Sequence, residues 1–241
     1  MEADENRLWH EINLAVDGVV FGYQSKELFV LLVKQKFGPF KDTWSLPGGF
    51  MLAHETLMEA IQREIKEESG IKVDYLEQLY TFGDQIDRDP RGRVISVSYF
   101  ALVNPKGLQL KADTDASDAK WFEIKKLPKL AYDHKKILTV ALNRLRAKIH
   151  YQPIGFNLLK KEFPFSDLEN LYMTILGNEI DRRNFRKKIL SFKFIEETDK
   201  IVSEGRGRPG KLYKFNKKKY REFESKGFHF DIKMAQGTPS S

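Results

Sequence analysis

Three glutamates, Glu64, Glu67 and Glu68, stand at positions i, i+3 and i+4, a spacing that sets their carboxylates on one face of an α-helix. Carboxylates crowded in this way repel one another unless a cation sits among them. Hard oxygen donors in that number suit magnesium or manganese. A second group of chemistry-bearing residues is the arginine set Arg88, Arg91 and Arg93, inside the segment Gly83-Asp-Gln-Ile-Asp-Arg-Asp-Pro-Arg-Gly-Arg93. Such a mixture of charge, Pro and Gly reads as a loop, and guanidinium groups on a loop can clamp a diphosphate or ribose phosphate through bidentate hydrogen bonds. The same composition also fits a solvated loop closed by its own ion pairs. A third set lies far along the chain: Arg182, Arg183, Asn184, Arg186 and Lys187 crowd one predicted helix, and Arg206, Arg208 and Lys211 follow in a glycine-rich stretch and its exit.

The elements that must hold the first set are legible locally. Pro47, Gly48 and Gly49 forbid an earlier helix start. Leu57, Ala60, Ile61 and Ile65 recur at helical spacing as a buried stripe, and Gly70 follows as a C-terminal cap. Upstream, Leu14–Gly22 and Leu28–Val33 read as strands around a polar turn at Gln24–Glu27. Downstream, Tyr75–Phe82 and Val94–Leu102 are further strands. A polar loop, Asp113–Asp118, enters a last strand through Trp121 and Phe122, expected in the core, with Asp115 or Asp118 as an extra metal or base group in the alternative. A helix is expected over His134–Ile149, capped by Asp133, with Ile137, Leu138, Ala141, Leu142 and Leu145 buried. His134 is read as structural.

The run from Gly49 through Glu55 and Arg63 to Ile71 fills every fixed position of the pattern Gly-x5-Glu-x7-Arg-Glu-apolar-x-Glu-Glu-x-Gly-apolar, and so resembles the Nudix hydrolases. The resemblance implies a mixed sheet with a loop–helix–loop laid against it, an α/β (α+β) Nudix fold. It implies that Glu67 and Glu68 hold Mg²⁺ or Mn²⁺ with help from the Gly49 carbonyl, and that the ion draws charge off a diphosphate and activates a water. Glu64 is then a ligand or general base, Arg63 orients the glutamates, and Glu55 is structural. The loop of Arg88, Arg91 and Arg93 resembles one in ADP-ribose pyrophosphatase-like members.

Composition narrows the setting. The 241 residues suffice for two domains, and 41% are hydrophobic, enough for packed cores. Without cysteine the chain has no disulfide and no thiolate metal ligand. No run approaches the roughly 20 apolar residues needed to span a bilayer, and the acidic N-terminus lacks the order of a signal peptide, so a soluble cytoplasmic protein is expected. Through residue 150 the chain carries 22 basic and 22 acidic residues, and from residue 151 onward 19 and 12, so the net charge of +7 lies wholly in the last 91 residues. A neutral part joined to a basic part suggests a polyanionic partner for the latter.

Tyr151-Gln-Pro-Ile-Gly155 breaks the helical pattern, and a domain boundary is expected there: 1–150, 151–234, and a disordered tail from 235 to 241. In the basic part Phe156–Lys161 reads as a short helix. Ser166-Asp-Leu-Glu169 reads as a capping box, and Leu168, Leu171, Tyr172, Ile175 and Leu176 as a core face ended by Gly177. Asp181 caps the next helix, which turns Phe185, Ile189 and Leu190 inward. Two helices about a short glycine-containing turn, then strands Phe192–Val202 and Leu212–Asn216 around Ser203–Gly210, resemble a winged helix-turn-helix. In that fold the second helix enters the major groove, while wing arginines suit the minor groove or phosphates. The Lys217–Arg221 cluster adds phosphate attraction. The whole arrangement resembles the Nudix-related transcriptional regulators, among them ADP-ribose-binding repressors of NAD biosynthesis and regulators of pentose utilisation. That resemblance implies a dimer on a palindromic double-stranded DNA operator, answering to a small-molecule effector. In that family the box is frequently degraded. Here it is complete, so an active Mg²⁺-dependent hydrolase with a DNA-binding appendage remains an open alternative.

Overall fold

The computed structural model describes residues 12–112, 115–202, 210–225 and 232. The chain divides into two compact units. One holds the chain up to Val20 with Val30–Ala101 and Leu108–Ala141. The other holds Phe21–Phe29, Leu102–Gly107 and the chain from Leu142. The division between Ala141 and Leu142 falls inside the helix His134–Tyr151.

The large mixed sheet is built of β1 (Asn13–Gln24), β2 (Glu27–Gln35), β3 (Trp44–Ser45), β4 (Gly48–Phe50), β5 (Leu76–Phe82), β6 (Val94–Val103) and β7 (Ala116–Glu123). Its order is β3-β2-β1-β6-β5, with β4 on β1 and β7 on β2. Ser25 and Lys26, with φ of 51° and 63°, make the two-residue turn between β1 and β2, where the left-handed region matches the strand twist. Helix α1 (Leu57–Ser69) is capped at Thr56 by a reciprocal pair with Glu59 and closed by Gly70 at φ 75°. It lies directly on β1: a Cβ at Gly18 would stand 3.0 Å from the side chains of both Ile61 and Ile65. Val16, Val19, Val20, Leu31, Leu32, Ile61 and Ile65 are fully buried, so the acidic face of α1 is presented by an apolar stripe on its other side. Helix α2 spans His134–Tyr151. Asp133, expected as its cap, immediately precedes it and accepts the Ile137 N–H on its carbonyl, while its carboxylate accepts from Arg88. Trp121 and Phe122, expected in the core, are half-buried, with Phe122 edge-on to Trp44 at 4.7 Å.

The second unit contains a 3-10 turn (Phe156–Leu158), β8 (Glu162–Pro164), α3 (Phe165–Leu176), α4 (Arg182–Ser191), β9 (Ile195–Val202), β10 (Gly210–Phe215) and α5 (Lys217–Ser225). The strands form a sheet in the order β8-β10-β9. Expected as a hairpin, it gains a third strand because Glu162–Pro164 pairs with β10 through Leu212↔Pro164 and Lys214↔Glu162. The same pairing removes the expected capping box. The chain leaves β8 straight into α3, so Pro164 becomes the cap with no side-chain bond, and Ser166 lies inside the helix. Leu168, Leu171, Tyr172, Ile175, Phe185 and Ile189 pack as read, and Leu190 is half-buried. Phe156 stacks on Phe215 at 4.1 Å, with Phe194 and Tyr220 around them.

Candidate functional site

Helix α1 brings its acids to the mouth formed by β1 and β4. Register Val16↔Gly49 and Asp17↔Gly48 sets the two glycines against β1. Glu68 is buried, and its Oε2 accepts the Gly48 N–H at 2.9 Å. Burial pushes its carboxyl well up, opposed by that hydrogen bond and reinforced by Glu64, Asp115 and Asp17. Burial also raises Glu64, with Arg63 working against it. A Cβ at Gly49 would collide with the Glu64 carboxylate, so a side chain there would displace that acid from its place beside Arg63. Arg63 organises the set. It donates to Glu55 at 2.6 and 2.9 Å, to Glu64 at 2.7 Å, to Glu67 at 3.3 Å and to the Phe50 carbonyl at 3.2 Å. Arg63 holds the Glu55 carboxyl down at about 2, and Glu55 in turn accepts the Leu52 N–H. The donors are the hard oxygens a divalent cation takes, and buried Glu68 and half-buried Glu64 are carboxylates whose mutual repulsion a cation would relieve. Arg63 and Gly48 occupy those oxygens here, and among the described residues no three acidic or histidine side chains are gathered at metal-binding distance.

Beside these acids lies a narrow cleft lined by Asp17, Gly48, Gly49, Arg88, Asp89, Arg91 and Tyr132. The three loop arginines have three different fates. Arg88 is buried and donates to Asp133 at 3.0 and 2.6 Å, with Asp17 at 3.7 Å. Arg91 donates to Asp89 at 2.7 Å, and its guanidinium lies 4.6 Å from the Phe50 ring and 5.0 Å from Tyr132, with its side chain 40% exposed. Arg93 reaches the Gln85 carbonyl only at 3.5 Å. The loop is thus held by one internal ion pair, Arg91 with Asp89, and by Arg88 reaching out to Asp133 and Asp17, and of the three arginines Arg91 alone combines a cleft position with solvent access.

Several groups at the cleft escaped sequence reading. Asp17 is a lone acid inside an apolar strand, and that anomaly was its available signal. It accepts the Ser96 hydroxyl and faces His134 Nε2 at 3.3 Å. His134 Nδ1 accepts the Leu46 N–H at 2.9 Å, which leaves the ring proton on Nε2. Burial lowers its pKa, with Asp17 opposing, so the ring is neutral and ties the chain before the glycines to α2. Asp89, Phe50 and Tyr132 gave no periodic signal, since each lies outside regular spacing.

On α4, Asp181 accepts the Asn184 N–H and its side-chain amide. Arg182 stands 3.8 Å from Glu169 and 3.9 Å from Glu179. Arg186 donates to the Tyr213 hydroxyl at 2.7 Å, and Lys211 pairs with Glu197. Arg183 and Lys187 are exposed and have no partner among the described residues. Arg206 and Arg208 lie outside the described residues, as does the tail from 235 to 241.

Comparison with known proteins matches residues 12–140 to the NUDIX domain and residues 155–215 to the NrtR DNA-binding winged helix domain. The ADPR responsive transcriptional repressor NtrR of Acinetobacter baylyi is 34% identical over 206 residues, 84% of this chain and 81% of that protein. The ADP-ribose pyrophosphatase of Methanocaldococcus jannaschii is 45% identical over 134 residues, 55% of this chain and 74% of its own length. The crystal structure of Shewanella oneidensis NrtR complexed with a 27mer DNA is 31% identical, with a TM-score of 0.79 over 91% of this chain and 98% of that one. The NUDIX domain of that NrtR complexed with ADP ribose is 33% identical, with a TM-score of 0.53 over 58% of this chain and 93% of that one. Mixed-sheet fold, acid-bearing helix, cleft and winged helix agree with these matches along nearly the whole chain, which therefore belongs to the Nudix family, in the NrtR group that carries a winged helix DNA-binding domain.

Proposed function

We propose that the protein is an ADP-ribose-responsive transcriptional repressor, with residues 1–150 as the sensor and 151–234 as the DNA-binding domain. The observation that carries this reading is the span of the similarity to the Acinetobacter repressor, 84% of the chain, which takes in both the cleft and the winged helix. A diphosphate fits the cleft chemically. The Gly48 and Gly49 backbone lines one side, and Arg91 offers a guanidinium framed by Phe50 and Tyr132. Arg88 contributes charge to the cleft while bonded to Asp133. Arg93 lies farther along the same loop. DNA is bound by the basic face of α4 with the wing, as a homodimer on a palindromic operator, where two-fold symmetry supplies two half-sites. The cytoplasm is the compartment proposed, and among the described residues no helix is long and apolar enough to cross a membrane.

ADP-ribose can act only by binding the DNA-free arrangement better than the DNA-competent one. The test is anisotropy of a labelled duplex selected from a random pool by the full chain, titrated with ADP-ribose at fixed salt. Release of the duplex with rising ADP-ribose is expected. Unchanged binding at saturating ADP-ribose refutes the reading.

The complete acid set and the 45% identity to a pyrophosphatase favour a second reading, in which the sensor also hydrolyses its ligand. Nudix hydrolases generally use divalent metals, and here Mg²⁺ or Mn²⁺ would be held by Glu64, Glu67, Glu68 and the Gly49 carbonyl. The ion supplies charge neutralisation at the diphosphate and a more acidic water. Arg63 would set the carboxylate orientations, and Glu64 would take the proton from that water.

A further inference from the structure

Resting on the DNA-binding reading above, we propose that the DNA-facing work of α4 falls to Arg183 and Lys187. Arg186, on the same helix, is a positioning residue that acts through Tyr213 and fixes α4 against the wing strand.

The five polar residues that crowd the start of α4 are not equivalent. Asn184 and Arg182 are tied back to acids at the helix start and on α3. Arg186 is drawn the other way. Its guanidinium lies 4.5 Å from the centre of the Phe165 ring and 5.5 Å from that of Tyr213, within the range of cation–π attraction. One of its nitrogens donates to the Tyr213 hydroxyl at 2.7 Å. Phe165 and Tyr213 themselves meet edge to face at 5.3 Å, and Tyr213 is buried. A single planar cation therefore joins the first residue of α3, the middle of α4 and the centre of β10. The Tyr213 hydroxyl passes the link on to Glu197 of β9 at 3.2 Å, and Glu197 also holds Lys211. A planar fork stacked on rings is what arginine does and lysine does not. Arg186 is exposed, but its guanidinium is engaged by Tyr213 and Phe165, whereas Arg183 and Lys187, one helical turn apart, face solvent with no partner among the described residues.

The test uses the full chain, the duplex selected from a random pool and a scrambled duplex of equal length, with anisotropy read across a salt series. Folding of each variant at the assay temperature is checked by circular dichroism. Arg183→Ala or Lys187→Ala should weaken both duplexes and lower the log–log salt slope by about 0.9. Tyr213→Phe and Arg186→Met should each weaken the selected duplex roughly tenfold, as loss of a hydrogen bond to a charged group does. Their salt slope and their affinity for the scrambled duplex should stay at wild-type values. A purely stabilising pair would leave the selected-to-scrambled ratio of a folded variant unchanged. Tyr213→Phe with wild-type affinity, or Arg186→Met with a slope reduced by about 0.9, overturns the inference alone. Wild-type protein with no salt-sensitive binding to either duplex overturns the DNA-binding reading and this inference with it.

Discussion

Replacing Arg88 by methionine keeps most of the side chain's reach and removes its charge and its fork of donors. The side chain is 4% exposed, and those of Asp133 and Asp17 are 12% and 8% exposed. Removing one partner of a buried ion pair costs about 3–5 kcal/mol, because the remaining charge stays buried and uncompensated. Here one cation serves two acids, so the loss should fall at the upper part of that range. At about 1.4 kcal/mol per decade, the folded-to-unfolded ratio drops by roughly three to three and a half orders of magnitude. All three tryptophans, Trp9, Trp44 and Trp121, precede residue 142, so urea denaturation followed by tryptophan fluorescence reports the first unit. With a denaturant slope of about 2 kcal/mol per molar, the midpoint should move down by about 2–2.5 M. Asp133→Asn made in the Arg88→Met background should recover part of the loss, with a coupling of at least about 1 kcal/mol. A midpoint shift below about 0.5 M, or losses that simply add, would refute the argument. The guanidinium would then be free to serve a ligand.

Arg91→Ala should lower the urea midpoint, since it leaves the buried Asp89 carboxylate without its partner, and weaken ADP-ribose roughly tenfold by calorimetry, the worth of one charged hydrogen bond; unaltered affinity would remove Arg91 from the cleft's binding role. If the chain hydrolyses ADP-ribose with Mg²⁺, Glu68→Gln should abolish phosphate-ester product while the far-ultraviolet spectrum stays native, and persistent turnover would remove Glu68 from the metal set. Burial raises the Tyr23 hydroxyl from 10.0 to about 12, with a Thr174 hydrogen bond acting the other way. A group whose pKa is raised on folding contributes stability that is full below the unfolded value and lost as pH rises through the folded one. Stability measured by circular dichroism should therefore fall between about pH 10 and 12 more steeply in the wild type than in Tyr23→Phe, and parallel curves would contradict this.

What the sequence determined by itself was what repeats or terminates locally. The stripe Leu57, Ala60, Ile61 and Ile65 with Gly70 behind it placed α1. The face Leu168 to Ile175 with Gly177, then Asp181, placed α3 and α4. Helical period, left-handed caps and side-chain caps depend on residues within a turn or two, so they can be read along the chain. The charge split was equally local. Tertiary structure alone decided which charges are free. Arg88 meets Asp133 across 45 positions, Arg186 meets Tyr213 across 27, and Asp17 meets Ser96 across 79. Such pairs depend on strand order and register, which composition does not encode. The capping box at Ser166 failed for the same reason: β8 pairs with a strand some fifty residues later, and that distant partner sets where α3 begins.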